Sequence, residues 1–261
     1  MRLVRLVTLA LACACAAPVA QAIVIRHDIP DAAYLARESE FPALFALYRT
    51  RAGHRDCIAT VISERFAITA AHCTENARLT AAASPGGAGY AVDISGVPNR
   101  VLEVVRHPAR ANGAAPDFAL LRLADPVRHV APIPLHRDSQ ETGRIVLIPG
   151  WGGFGNGETG LGAPDGRFRV AENRIDSAED GRLLWTFDAP STGKALTLEG
   201  ISGPGDSGGP ALIRTPSGLE IAGVSSAQRT GDGPEGVYGV TEVFVRVSDY
   251  AAWISDRTGE P

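Results

Sequence analysis

Ser207 lies in Gly205-Asp206-Ser207-Gly208-Gly209-Pro210. A hydroxyl flanked by three glycines is exposed, and backbone N–H groups can come close to whatever bonds to it. That suits an attacking serine with an oxyanion hole built from its own neighbours. A serine hydroxyl is a poor nucleophile near neutral pH and needs a base within hydrogen-bond reach. Histidine suits this task because its ordinary pKa lies near the working pH. Six are present: His27, His54, His72, His107, His129 and His136. His72 stands apart, because it follows an apolar strand in Thr69-Ala70-Ala71-His72-Cys73. The other five read as surface or structurally satisfied residues. Asp117 directly precedes Phe118-Ala119-Leu120-Leu121, a strand apolar enough to be buried. An ionised carboxylate there is costly unless it receives hydrogen bonds. A histidine N–H would meet that need, fix the imidazole tautomer and stabilise the imidazolium. Taken alone, Asp117 after Pro116 reads as a solvated turn residue; the serine and the histidine give it the other reading.

The elements that must position these residues are short strands. Phe45-Ala46-Leu47-Tyr48, Ala59-Thr60-Val61-Ile62 and Phe66-Ala67-Ile68-Thr69 are separated by polar or turn residues. Further strands are predicted at 101–105, 118–123, 145–148, 183–187, 195–198, 211–213, 221–224 and 243–247. Many short strands with frequent turns imply an all-β barrel or sandwich. With 29 glycines and 18 prolines, long helices are excluded. Residues 150–166 and 229–236 read as long glycine-rich loops, and 123–138 as a linker between two halves. The spacing of apolar residues over 247–254 predicts one C-terminal helix, with Ser248 at its N-cap.

The chain has 261 residues, 45% hydrophobic and 21% charged, which suits a folded globular protein with a sizeable core. Arg2 and Arg5 precede an apolar run over 6–17, and Ala20-Gln21-Ala22 places small residues where a signal peptidase reads. Cleavage is expected after Ala22, so that the mature chain starts at Ile23. The apolar run is too short for a membrane anchor, since a span takes ~20 apolar residues. Neither Cys13 nor Cys15 follows a lipidation pattern. The formal net charge is −4 and becomes more negative once Arg2 and Arg5 leave. With no dense basic patch, nucleic-acid binding has no support. Cys57 and Cys73 remain after cleavage, and two cysteines in an exported chain most simply form one disulfide. It would also hold His72, the neighbour of Cys73. The Arg, Ala and Gly bias fits a bacterial source.

The three motifs around His72, Asp117 and Ser207 resemble the active-site motifs of the trypsin/chymotrypsin-like serine protease family, in that family's order and at similar spacing. Cys57 and Cys73 resemble the family's disulfide around the histidine. Gly150-Trp151-Gly152 resembles the segment opening its second half, and Arg106-His107-Pro108 and the helix at 250–254 are similar too. The resemblance implies two antiparallel six-stranded β-barrels packed around a cleft, with a C-terminal α-helix. The halves would be 23–135 and 136–261, together one peptidase unit. It implies an acyl-enzyme on Ser207, with His72 as general base and acid and Asp117 orienting it. The N–H groups of Gly205 and Ser207 would form the oxyanion hole. Protein or peptide substrates are implied, with a proteinaceous inhibitor as a possible partner, a monomeric state, and neither metal nor cofactor.

Asp206 has a separate implied role. In the family, a freed N-terminal isoleucine amine pairs with the aspartate before the serine and orders the oxyanion hole. Ile23-Val24 opens the expected mature chain, so signal cleavage itself would supply that amine. The rival reading is that Ile23 starts an ordinary strand; the family usually continues with two glycines, whereas Ile25-Arg26 stands here.

Substrate choice is read from Ile201, six residues before Ser207, where trypsin-like members carry aspartate. This argues against the usual route to Arg or Lys specificity. The family's disulfide around this pocket is absent, with Gly203 and Pro204 in its place. Ser225-Ser226-Ala227 resembles the strand that pairs with substrate backbone, without the family's common tryptophan. Counting back from Tyr250 and Trp253 places Glu242 on the pocket wall, where its carboxylate could attract a basic side chain. A second register puts Gly236-Val237-Tyr238 there and leaves Glu242 on a solvated strand face. The alternative to an enzyme is an inactive secreted homologue acting as a binding module.

Overall fold

A computed structural model describes residues 23–49, 55–112, 116–162 and 165–259. The expected leader, residues 1–22, and His54 lie outside the described residues. The described residues open with β1 (Ile23–Ile25). Six strands then form the first antiparallel sheet: β2 (Leu44–Arg49), β3 (Arg55–Val61), β4 (Phe66–Thr69), β5 (Tyr90–Ile94), β6 (Val97–Arg106) and β7 (Ala119–Leu123). Their order is β2-β3-β4-β7-β6-β5. The sheet curls until its edges meet, and Tyr48 of β2 stacks edge-on against Tyr90 of β5 at 5.8 Å. Ile68 and Leu120 on one face, and Val61 and Leu121 on the other, are fully buried. The short helix α1 (Ala77–Ala82) is capped by Asn76, whose side chain accepts the Arg78 N–H at 2.9 Å.

The second half contains β8 (Ile145–Gly150), β9 (Phe154–Asn156), β10 (Gly160–Leu161), β11 (Arg169–Arg174), β12 (Ser177–Glu179) and β13 (Arg182–Thr186). It continues with β14 (Gly200–Ile201), β15 (Pro210–Thr215), β16 (Gly218–Arg229) and β17 (Thr241–Arg246). Seven of these make an antiparallel sheet in the order β11-β8-β15-β16-β17-β13-β12, one strand more than expected, and more open than the first. Its core holds Trp185, Phe187 and Phe244, with the Trp185 and Phe244 rings 4.5 Å apart. A third, four-stranded sheet runs β10-β9-β1-β14. The all-β fold with its C-terminal helix is therefore the one expected from sequence.

The first and last described elements cross between the halves. β1 pairs with β9 and β14 of the second half. The C-terminal helix α2 (Ala251–Thr258) leans on the first, with Trp253 edge-on to Phe118 at 5.5 Å. β1 precedes the first sheet in sequence but is hydrogen-bonded to strands that follow it.

Several local expectations are corrected. Residues 195–198 form no strand: the buried Glu199 carboxylate accepts the N–H groups of Leu196 and Asp188, satisfying them in place of a ladder partner. Ser248 does not cap a helix. It donates to Glu141 at 2.6 Å within the 3-10 turn Val247–Tyr250, and α2 starts one turn later. The glycine-rich stretch 150–166 holds β9 and β10, because β1 supplies a partner strand from far away in sequence.

Candidate active site

β4 and β7 bring His72 and Asp117 together. Thr69, the last residue of β4, pairs with Ala119, the first of β7. Past β4 the chain makes a 3-10 turn, His72–Thr74. Cys73 is bridged to Cys57 of β3, and Arg106 donates to the Thr74 hydroxyl at 2.8 Å and to its carbonyl at 2.7 Å. Asp117 sits just before β7 and receives His72 twice: the backbone N–H at 3.0 Å on Oδ1 and Nδ1 at 2.7 Å on Oδ2. The Ser226 hydroxyl donates to the same Oδ2 at 2.8 Å. These contacts explain the electrostatics. The Asp117 bond is the main influence raising the His72 pKa, against the opposing effect of burial. Burial pushes Asp117 up, but the bonds from His72 and Ser226 outweigh it and leave the carboxyl below its ordinary range.

Ser207 is held from both halves. Its carbonyl accepts the Ile58 N–H of β3 at 2.8 Å, while the Gly208 N–H reaches the Ser225 carbonyl at 2.9 Å. Gly208 has φ +80°, and a side chain there would collide with the Thr69 hydroxyl and the Ile58 carbonyl. Ser207 and His72 line one cleft of ≈ 700 Å³, together with Asp56, Cys57 and Tyr48. Among the described residues, the N–H groups of Gly205 and Ser207 donate to no protein acceptor. Gly205 reaches this geometry at φ +100°. A serine, a histidine and a carboxylate so arranged, with two open N–H donors beside the hydroxyl, can carry acyl transfer.

Asp206 turns inward and is 1% exposed. Its carboxylate accepts the N–H groups of Trp151 at 2.9 Å, Gly152 at 2.7 Å and Gly203 at 3.0 Å. It occupies the space where side chains at Gly150 and Gly152 would be, which accounts for the glycines around Trp151. Burial raises its pKa to about 7 despite these bonds. β1 lies between β9, which starts two residues after Gly152, and β14, which ends two residues before Gly203. Ile23 is thus fully buried between the two segments that bind Asp206.

A second pocket, ≈ 350 Å³, opens on the other side of Ser207. Ser225, Ser226 and Ala227 line it, with Ser202, Gln228 and Glu235. Ile201 does not: it pairs with Val24 and points into the core of the second half, so its neighbour Ser202 faces the pocket instead. Glu242 lies behind the wall, fully buried, rather than on a solvated strand face. Its carboxyl accepts the Ser202 hydroxyl at 2.8 Å and the Gln228 amide at 2.7 Å, and burial raises its pKa to about 8. Sequence reasoning missed Ser202 and Gln228, although each directly follows a residue it had singled out. Both face the pocket because strand alternation and the bulge between Ser225 and Ala227 set which side chains do.

The remaining described histidines bond elsewhere. His27 meets the Tyr238 hydroxyl at 2.8 Å, His129 the Ile94 carbonyl at 2.8 Å and His136 the Glu220 carboxylate at 2.7 Å. His107 stacks among Phe118, Tyr250 and Trp253.

Comparison with known proteins agrees with this architecture. The Trypsin family model matches residues 34–254. Serine protease SP24D of Anopheles gambiae is 29% identical over 232 residues, covering 84% of this chain and 78% of its own. A snake venom serine protease homolog of Bothrops jararacussu is 28% identical over 229 residues, covering 83% and 82%. Serine protease filzig of Drosophila melanogaster is 29% identical over 246 residues, 86% of this chain but only 13% of that much longer protein. These relatives come from insects and a snake, so the bacterial source suggested by composition is not borne out. The match across most of its length places the chain in the trypsin-like serine protease family.

Proposed function

We propose that the chain is an exported serine endopeptidase that hydrolyses peptide bonds through an acyl-enzyme on Ser207. The observation that carries this is the His72 Nδ1 to Asp117 Oδ2 bond of 2.7 Å, made in the cleft that Ser207 also lines. His72 takes the Ser207 proton as the hydroxyl attacks the carbonyl, then returns it to the leaving amine. Asp117 fixes the tautomer that keeps Nε2 free to accept, and stabilises the imidazolium. The Gly205 and Ser207 N–H groups bind the oxyanion. Asp206 takes no part in proton transfer; it anchors the mature N-terminus at Ile23. The pocket lined by Ser202, Ser225, Ser226, Ala227 and Gln228 receives the substrate side chain before the cut bond, with Glu242 supporting it from behind.

Export is read from the leader-like residues 1–22, and the disulfide fits an oxidising compartment. Among the described residues, no helix is long and apolar enough to cross a membrane. Protein or peptide substrates fit the family, and the enzyme is taken to act as a monomer without a metal or cofactor.

Reaction with a fluorophosphonate separates an active enzyme from an inactive homologue. Mature protein should label at Ser207, and the label should vanish in Ser207→Ala and fall sharply in His72→Ala. Failure of folded, mature protein to label would favour the binding module.

A further inference from the structure

Arg110 brings a permanent positive charge to the carboxylate that His72 uses. It lies in the 3-10 turn Pro108–Asn112, just ahead of Asp117. Its Nη2 is 3.4 Å from Asp117 Oδ1 and 3.2 Å from Glu75 Oε1. The Arg110 and Asp117 side chains are 16% and 14% exposed, so solvent screens the pair only in part. One oxygen of Asp117 therefore faces a guanidinium while the other holds the imidazole.

That sharing has a chemical consequence. Asp117 stabilises a protonated His72 through its negative charge. A cation on the same carboxylate offsets part of that charge and repels the imidazolium. Glu75, more exposed at 57%, meets the same Nη2, and its negative charge works in the opposite sense. We propose that Arg110 is a positioning residue that, acting through Asp117, biases His72 toward its neutral, proton-accepting form. The proposal rests on the Ser207–His72–Asp117 reading above.

The pKa influences on His72 agree in sign. The Asp117 hydrogen bond raises it most and burial opposes; the Arg110 charge lowers it and the Glu75 charge raises it. Other charged or titratable groups surround the pair. Tyr48, Arg49, Asp56, Arg78 and Tyr90 line the cleft on the His72 side. Arg182 and Arg229 line the hollow behind Asp117, alongside Arg110. Among the described residues, only His72 and Arg110 come within ion-pair distance of Asp117.

The test reads the midpoint of His72 protonation in two ways: from the acid limb of kcat/KM against pH, and from the imidazole resonance of His72 by NMR. In Arg110→Gln the midpoint moves to higher pH. The value of kcat/KM then falls several-fold at mildly acidic pH, while the alkaline plateau stays within a factor of a few. Arg110→Lys restores the wild-type midpoint. Glu75→Gln, an exposed change that leaves the fold intact, moves the midpoint the other way. Midpoints that do not move, or that move together in Arg110→Gln and Glu75→Gln, overturn the proposal. So does a fall in the plateau alone, which marks a merely structural role. Should Arg110→Gln fail to fold, Glu75→Gln and Arg110→Lys decide. The NMR midpoint needs no turnover, so opposite shifts in a protein that cuts nothing and resists fluorophosphonate would sink the enzyme reading and leave this inference standing.

Discussion

Gln228 stands between Glu242 and the pocket beside Ser207. The two residues face each other across β16 and β17, and the Gln228 amide donates to Glu242 Oε1 at 2.7 Å. Gln228 lines the pocket and Glu242 does not. The Glu242 carboxyl, ordinarily 4.5, is raised by burial to about 8. The folded state therefore binds a proton in this interval that the unfolded chain has already lost. Stability is fully present below pH 4.5 and declines as pH rises through 8. Glu242→Gln removes this contribution, so its melting temperature should fall less than that of the wild type between neutral pH and pH 8. Parallel melting curves across the range would mean that Glu242 is ionised in place.

The same arrangement bears on substrate choice. A carboxyl that is neutral at pH 7, with an amide and a hydroxyl bound to it, offers little attraction to a substrate cation. Glu242→Gln should leave the ratio of Arg or Lys cleavage to Leu or Phe cleavage unchanged at pH 7 on a peptide panel. Where the wild type does favour basic residues, Glu235 on the same lining is the carboxylate responsible, and Glu235→Gln removes the preference. A loss of basic preference in Glu242→Gln alone would reverse this assignment.

Asp117 holds His72 by two hydrogen bonds, one to the ring and one to the backbone. Asp117→Asn keeps the shape and removes the charge. An amide can present an N–H to Nδ1, which favours the wrong tautomer. Loss of the orienting aspartate in a Ser-His-Asp triad lowers kcat about 10⁴-fold. Asp117→Asn should show a drop of that order in kcat with little change in KM, measured on any peptide the wild type cuts. A loss below tenfold would argue that Asp117 is an ordinary turn carboxylate.

The motifs around these residues were legible because they are local. Thr69 to Cys73, Asp117 to Leu121 and Gly205 to Pro210 each put a reactive group beside a strand or turn that can be read in isolation. β4 was placed residue for residue, since its apolar run ends in polar neighbours on both sides. What stayed hidden depends on partners distant in sequence. Ile201 has the composition of a pocket wall, yet its pairing with Val24 turns it into the core. Gln228 became part of the pocket through its opposition to Glu242 and the bulge in β16. Arg110 reads as a loop residue; only the approach of its turn to Asp117 gives it a role. β5 and β11 alternate buried and exposed positions too weakly in apolar character to announce themselves, and gain their status from neighbours in the sheet.

Ile23, the proposed mature N-terminus, yields the last prediction. Asp206 is buried with three backbone donors and a pKa raised to about 7, so its charge is incompletely met by those bonds. A free amine at Ile23 would supply the missing cation and bring that pKa down. The carboxylate would then be held ionised at neutral pH, with the Gly205–Ser207 turn fixed behind it. N-terminal sequencing of purified active enzyme should begin at Ile23. A variant carrying one additional residue before Ile23 should fold, because β1 still pairs with β9 and β14, but should label with fluorophosphonate at least tenfold more slowly. Asp206→Asn should show the same slowing whether or not the end is free. Full activity with a blocked or extended N-terminus would make β1 an ordinary strand and leave the three N–H donors as sufficient support for Asp206.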